Sequence, residues 1–288
     1  MASTRDLRRR IRSITSTAQI TRAMQMVASS KMRKAQQNTL MTRPFAQLLY
    51  RIQRHATTRA REFTHPLLEV REVHKRAVIL VGTDKGLCGP LNDNVFRVAA
   101  QFDPATTLFI TAGKRASQFV AHTQRQLVAE FTFTDSPRMA EARPIANFAR
   151  DLFLKKEVDE VRIVATQFIN TLSQKAGAIE FLPIGAITTL KVPGAVSEAD
   201  LASDTSQYLF EPGPEALLSF LLGLYLNVVM YRVLLEAKAS EQSARMVSMK
   251  NATDSANELI HHLTLEYNKL RQGNITQELL EIAGGQAS

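Results

Sequence analysis

No glycine occurs before Arg76 and no proline before Pro44, so nothing in the first forty residues interrupts a helix. Ser3, followed three positions later by Asp6, supplies an N-cap and a capping-box-like acid. Leu7, Ile11, Ile14, Ala18, Thr21, Gln25, Ala28, Met32 and Ala35 then step by four and three in alternation, the spacing of a coiled-coil seam with Gln25 as its one clear defect. A second helical piece is expected over residues 45 to 60, after Pro44. The other end of the chain repeats the pattern at greater length. Pro214 is the last proline and suits the first turn of a helix starting near Glu215 and running to about Ile282, before the stop at Gly284-Gly285. Its seam reads Leu235, Ala239, Gln242, Met246, Met249, Thr253, Ala256, Ile260, Leu263, Tyr267 and Leu270. At about 1.5 Å per residue such a helix is a rod of roughly 100 Å, which no compact core can enclose. It needs a partner along its length, and the N-terminal seam is the obvious one. That seam is too short to cover it all, so part of the C-terminal rod must face another molecule.

Between the rods the periodicity changes. Ala77 to Val81, Thr107 to Thr111, Val161 to Phe168 and Ala178 to Ile184 read as strands, while Leu91 to Phe102, Lys114 to His122 and Ala140 to Lys155 read as helices. Strand and helix alternation predicts a mostly parallel sheet. The expected division is an N-terminal coiled-coil helix over 1–60, an α/β domain over 75–190, a Pro/Gly-rich connecting loop over 191–214 and a C-terminal coiled-coil helix over 215–288. The fold class is α/β, a Rossmann-like domain inserted into a long antiparallel two-helix coiled coil.

Composition excludes several classes. A chain of 288 residues with 45% hydrophobic and 22% charged residues can bury a core. A single cysteine, Cys88, rules out an internal disulfide, and no Cys/His cluster has zinc spacing. The longest charge-free stretch, Ala216 to Tyr231, is shorter than the roughly 20 residues of a bilayer span, so no transmembrane segment is expected. Charge is uneven. Residues 1 to 76 carry 17 Lys or Arg against 4 Asp or Glu, a net of +13 that leaves −4 for the rest of a total of +9. The first rod therefore attracts something acidic, whether nucleic acid, anionic lipid or a protein surface. No aromatic residue precedes Phe45 and no known nucleic-acid fold is evident, which argues against nucleic acid. The Arg-rich, Ser/Thr-rich start shares a pattern with mitochondrial presequences, but continues unbroken into the long helix.

Candidate chemistry is sparse. Gly82, Gly86 and Gly89 sit where a strand turns into a helix, but their spacing fits neither dinucleotide nor P-loop fingerprints, and a tight structural turn is the better reading. Asp84 and Lys85 are placed for an exposed contact from that turn. Cys88 reads as a small packed residue rather than a nucleophile. His261 and His262 point about 100° apart on a helix, which prevents them from acting as a metal pair, and Glu258 with His261 lacks the second pair a bundle metal site needs. Neither a cofactor nor a metal is expected.

Three segments carry a resemblance. ITSTAQITRAMQMVASSKMRKAQ (Ile14 to Gln36), TDKGLCGPLN (Thr83 to Asn92) and the stretch Ala237 to Gly285, with ARMVSMKNATDSAN and YNKLRQGNITQELLEIAGG, closely resemble the gamma subunits of F-type ATP synthases, with YLFEP (Tyr208 to Pro212) as a further local likeness. The resemblance implies a non-catalytic rotor shaft coupling proton translocation to ATP synthesis or hydrolysis. Its implied partners are a hexamer of alpha and beta subunits, an epsilon subunit and a ring of c subunits. Residue by residue, it implies beta-subunit contacts at Met24, Arg245, Arg271, Gln272, Thr276 and Glu278, ring contacts at Tyr208, Phe210 and Glu211, and the family loop at Asp84, Lys85, Gly86, Cys88 and Gly89. The location implied is peripheral, on the cytoplasmic side of a bacterial inner membrane. The chain departs from the family pattern at Gln25, where Lys is common, at Pro90, where Gly is usual, and at Gly273, where Ala is usual. The rival classes are a nucleic-acid-binding coiled-coil protein and a small α/β enzyme with helical arms.

Overall fold

The computed structural model describes residues 3–41, 64–184 and 213–285. The chain falls into two compact units, one made of both termini (Met1–Ser29 with Arg245–Ser288) and one of the middle (Ser30–Ala244). The helix α1 spans Thr4–Met41, as the uninterrupted opening predicts. Its start is tied down by Ser3, whose carbonyl accepts from Asp6 N at 2.9 Å and Leu7 N at 3.0 Å. Asp6 instead pairs with Arg9 at 3.2 Å. The expected helix over 45 to 60 and most of the connecting loop over 191–214 lie outside the described residues.

The middle unit is built on a five-stranded sheet: β1 (Arg76–Val81), β2 (Thr107–Ala112), β3 (Gln126–Phe131), β4 (Glu160–Phe168) and β5 (Gln174–Leu182), in the order β3-β2-β1-β4-β5. The first four are parallel, and β5 closes antiparallel on β4, with Ile163 opposite Ile179. Three helices connect them: α2 (Leu91–Ala99), α3 (Lys114–His122) and α4 (Met139–Leu154). Side-chain alternation divides the strands between two cores. Val78, Leu80, Phe109 and Val164 face Val95 and Ala99 of α2 and Ala116 and Val120 of α3. Ala77, Ile79, Val81, Ile110 and Ile163 face Ile145, Ala149 and Phe153 of α4. This second core also receives Leu222, Leu226, Met230 and Leu234 from the beginning of α5 (Pro214–Gly285).

Strand β3 is the element that the sequence reading omits. Among the described residues it is an edge strand paired only to β2, and Leu127 and Val128 are each 39% exposed, so it lacks the buried apolar run that marks its neighbours. The start of α5 also differs from expectation in its apolarity. An 18-residue window within Glu215–Gln277 reaches a mean hydropathy of 1.8, enough by length and composition to cross a membrane, but 44% of it is buried inside the protein. The leucines there serve as the lid of the sheet's second core.

Candidate functional site

Within the terminal unit, the two predicted seams are the buried stripes. Leu7, Ala18 and Ala28 of α1 are buried, as are Met249, Thr253, Ala256 and Leu263 of α5. Two polar contacts fix the pairing as antiparallel: Arg8 Nη2 donates to the Tyr267 hydroxyl at 2.9 Å, and the Thr21 and Thr253 hydroxyls meet at 2.7 Å. The Arg8 guanidinium also lies 5.6 Å from the centre of the Tyr267 ring, a cation–π distance. Thr21, Thr253 and Tyr267 stood in the predicted seams, yet their contacts were not read from the sequence. Matching the two threonines across an antiparallel register was the signal that could have found one of them.

The residues expected at partner contacts are spread along this unit. Arg271, Gln272 and Thr276 are exposed, and the Thr276 hydroxyl donates back to the Gln272 carbonyl at 2.9 Å. Met24 is half-buried. Arg245 is only 8% exposed, so its own chain already encloses most of it. Glu278 lies within α5. Tyr208, Phe210 and Glu211 lie outside the described residues. Elsewhere on the same unit, Met26 at 63% and Ile20 at 57% exposure on α1, with Leu279 at 61% and Leu280 at 67% on α5, give it an apolar as well as a basic outer surface.

In the middle unit, the glycine-containing loop after β1 is held by its own side chains. Thr83 N donates to Asn92 Oδ1 at 3.3 Å, Asn92 Nδ2 returns a bond to Thr83 Oγ1 at 2.8 Å, and Thr83 Oγ1 donates to the Lys85 carbonyl at 2.8 Å. Asp84 is half-exposed, and its contact from the turn is made within the chain. Its carboxylate accepts from Lys114 N at 3.0 Å and caps α3, whose own N-cap position is Gly113 and has no side chain to offer. Lys85 is exposed and Gly86 half-buried. Leu87 and Gly89 take positive φ values of 61° and 59°, and Leu87 stands 60% exposed. Cys88 is buried at 2% exposure, with Asn92 Nδ2 3.6 Å from its sulfur, the packed position expected rather than that of a nucleophile. Pro90 is the N-cap of α2, so its ring costs that helix no hydrogen bond.

Beside this loop is a cavity of about 50 Å³ lined by Cys88, Leu91, Asn94, Thr166 and Gln174 among others. That is room for a few water molecules and far below the several hundred Å³ of a nucleotide-sized pocket. Among the described residues no group of three or more His, Cys, Asp or Glu side chains converges on a possible metal position. His261 and His262 are both exposed on α5.

The fold is that of an α/β domain inserted in sequence between two long helices whose terminal segments pair antiparallel. Comparison with known proteins gives the particular family. A family model described as ATP synthase matches residues 3–288. The chain is 44% identical to the ATP synthase gamma chain of Opitutus terrae over 99% of its own length and 98% of the relative's, and 42% identical to that of Methylacidiphilum infernorum over 99% of each. It belongs to the ATP synthase gamma chain family. Its fold matches a chain of the Euglena gracilis mitochondrial ATP synthase OSCP/F1/c-ring structure with a TM-score of 0.67, 19% identity and coverage of 99% and 93%. A chain of the Tetrahymena thermophila central stalk/c-ring structure matches with a TM-score of 0.59, 23% identity and coverage of 81% and 99%. The role that follows from the family is that of the central stalk, a subunit that performs no catalysis itself.

Proposed function

We propose that this chain is the rotor shaft of an ATP synthase, turning within a hexamer of alpha and beta subunits and carrying torque between it and a c-subunit ring, with an epsilon subunit beside the α/β domain. The observation that carries the reading is the lengthwise antiparallel pairing of segments from opposite ends of the sequence, Arg8 with Tyr267 and Thr21 with Thr253, in a chain whose whole length matches the family. A two-helix shaft is asymmetric about its long axis. Each of three chemically identical catalytic subunits around it therefore meets a different face, and differential contact holds each in a different conformation. Rotation moves those conformations around the ring.

On this reading Met24, Arg245, Arg271, Gln272, Thr276 and Glu278 meet the beta subunits, the Arg and Glu side chains through charge-assisted hydrogen bonds. Tyr208, Phe210 and Glu211 meet the ring, and the Asp84–Gly89 loop presents Lys85 and Leu87 outward. The basic surface of α1 finds its acid on protein. As part of an ATP synthase, the chain is peripheral to a membrane, and relatives from bacteria favour the cytoplasmic face of an inner membrane.

The test is reconstitution. The chain should co-purify with its alpha and beta partners and raise their ATPase activity, while alone it should neither turn over nucleotide nor show steeply salt-dependent binding of nucleic acid. Failure to form the complex sinks the proposal.

A further inference from the structure

Among the described residues of the middle unit, Lys238 and Glu241 are the most deeply buried ionic groups. Lys238 of α5 is 1% exposed, and an ammonium there must be compensated. Glu241, itself 2% exposed, places Oε2 at 2.9 Å from its Nζ. Asp135, in the turn between β3 and α4, places Oδ1 at 3.5 Å, and the Phe133 ring centre is 4.9 Å away. The other oxygen of Asp135 accepts from Lys31 Nζ of α1 at 2.6 Å. One carboxylate thus joins three segments distant in sequence, all within the same compact unit. Asp135 faces both Lys31 and Lys238, and Glu241 faces Lys238.

Lys31 and Asp135 are 41% and 44% exposed, whereas an apolar contact at the buried Lys238 and Glu241 would cost less desolvation. It would not fix the turn of a helix about its own axis, because dispersion contacts re-form after a small rotation whereas a short charge-assisted hydrogen bond is directional. We propose that Asp135 is a positioning residue that locks the rotational setting of the α1 and α5 segments against the α/β domain, so that torque passes between them without slip. This rests on the rotor reading. The Lys31 hydrogen bond, aided by the charge of Lys238, holds the Asp135 carboxyl below the usual carboxylate range, so the lock is charged at neutral pH.

The experiment uses the assembled ATP synthase in membrane vesicles, comparing ATP hydrolysis with ATP-driven proton pumping for Asp135→Asn, Asp135→Glu and the charge-balanced Asp135→Asn/Lys31→Met, which leaves the buried Lys238–Glu241 pair intact. The expected result is retained hydrolysis with pumping per ATP reduced several-fold in Asp135→Asn, most of it restored in Asp135→Glu. The double variant should recover thermal stability but not pumping, a split that a merely structural role does not produce. Normal pumping per ATP in Asp135→Asn overturns the proposal, as does a parallel fall of pumping and stability across the series. Should Asp135→Asn not assemble, the double variant is read in its place, and normal coupling there is equally fatal. Parent enzyme whose pumping does not depend on this chain would instead overturn the rotor reading.

Discussion

Gly113 tests the packing of the α/β domain more sharply than any large core residue. It follows β2 and precedes α3, with φ of 100° and ψ of 143°, a conformation that side chains with a Cβ rarely adopt. Its N–H donates to the Phe131 carbonyl at 2.9 Å and its carbonyl accepts from Ala116 N at 3.1 Å, so the peptide cannot rotate freely to relieve strain. A Cβ placed there would lie on the Gly82 carbonyl oxygen and 3.0 Å from its carbon. That obstacle is backbone, and Gly82 is itself fixed by its bond to the Ala112 carbonyl at 2.8 Å. Backbone strain of this kind costs about 1–3 kcal/mol. Overpacking against an immobile neighbour adds about 1–3 kcal/mol more. Gly113→Ala should therefore destabilise the domain by about 4 kcal/mol, which for a chain of this size lowers Tm by roughly 10 °C. Denaturant-dependent amide exchange of β1 and β2 in the full chain reads the effect on the domain directly. A loss below about 1 kcal/mol would show that the crossing of these two glycines is not as tight as described.

Gly273→Ala is the same substitution with the opposite expected sign. A Cβ there meets nothing within 4 Å, so the helix should gain on the order of 1 kcal/mol, seen as slower amide exchange around 273, and unchanged exchange would refute the stiffening. Asp159 accepts from Lys75 N and His74 N, both at 3.0 Å, and these bonds, the Lys75 one foremost, hold its carboxyl below the ordinary value. A lowered carboxyl contributes stability that is present above its unfolded pKa and is lost as pH falls through the folded one. Asp159→Asn should thus flatten the loss of stability between about pH 5 and pH 2, and an unchanged acid slope would remove Asp159 from the account.

The sequence by itself determined the elements whose cause is local. Freedom from glycine and proline over the opening forty residues, and the four-three spacing at both ends, were enough to draw α1, α5 and the stripes they bury, because helix periodicity is a property of neighbours three and four apart. The buried β1, β2 and β4 were legible for the same reason, as short apolar runs between turn signals. The family motifs made the functional class legible as well.

Tertiary structure decided what depends on segments far apart. β3 needed the edge of β2 to pair with. Asp84, still half-exposed, found its partner in the first N–H of α3, where Gly113 offers no capping side chain. The apolar start of α5 acquired a sheet to cover. Asp135 became the junction of Lys31 and Lys238 across more than a hundred residues, and no spacing rule reaches that far: a charge's partner is set by distance in space, which the chain defines only once it has folded.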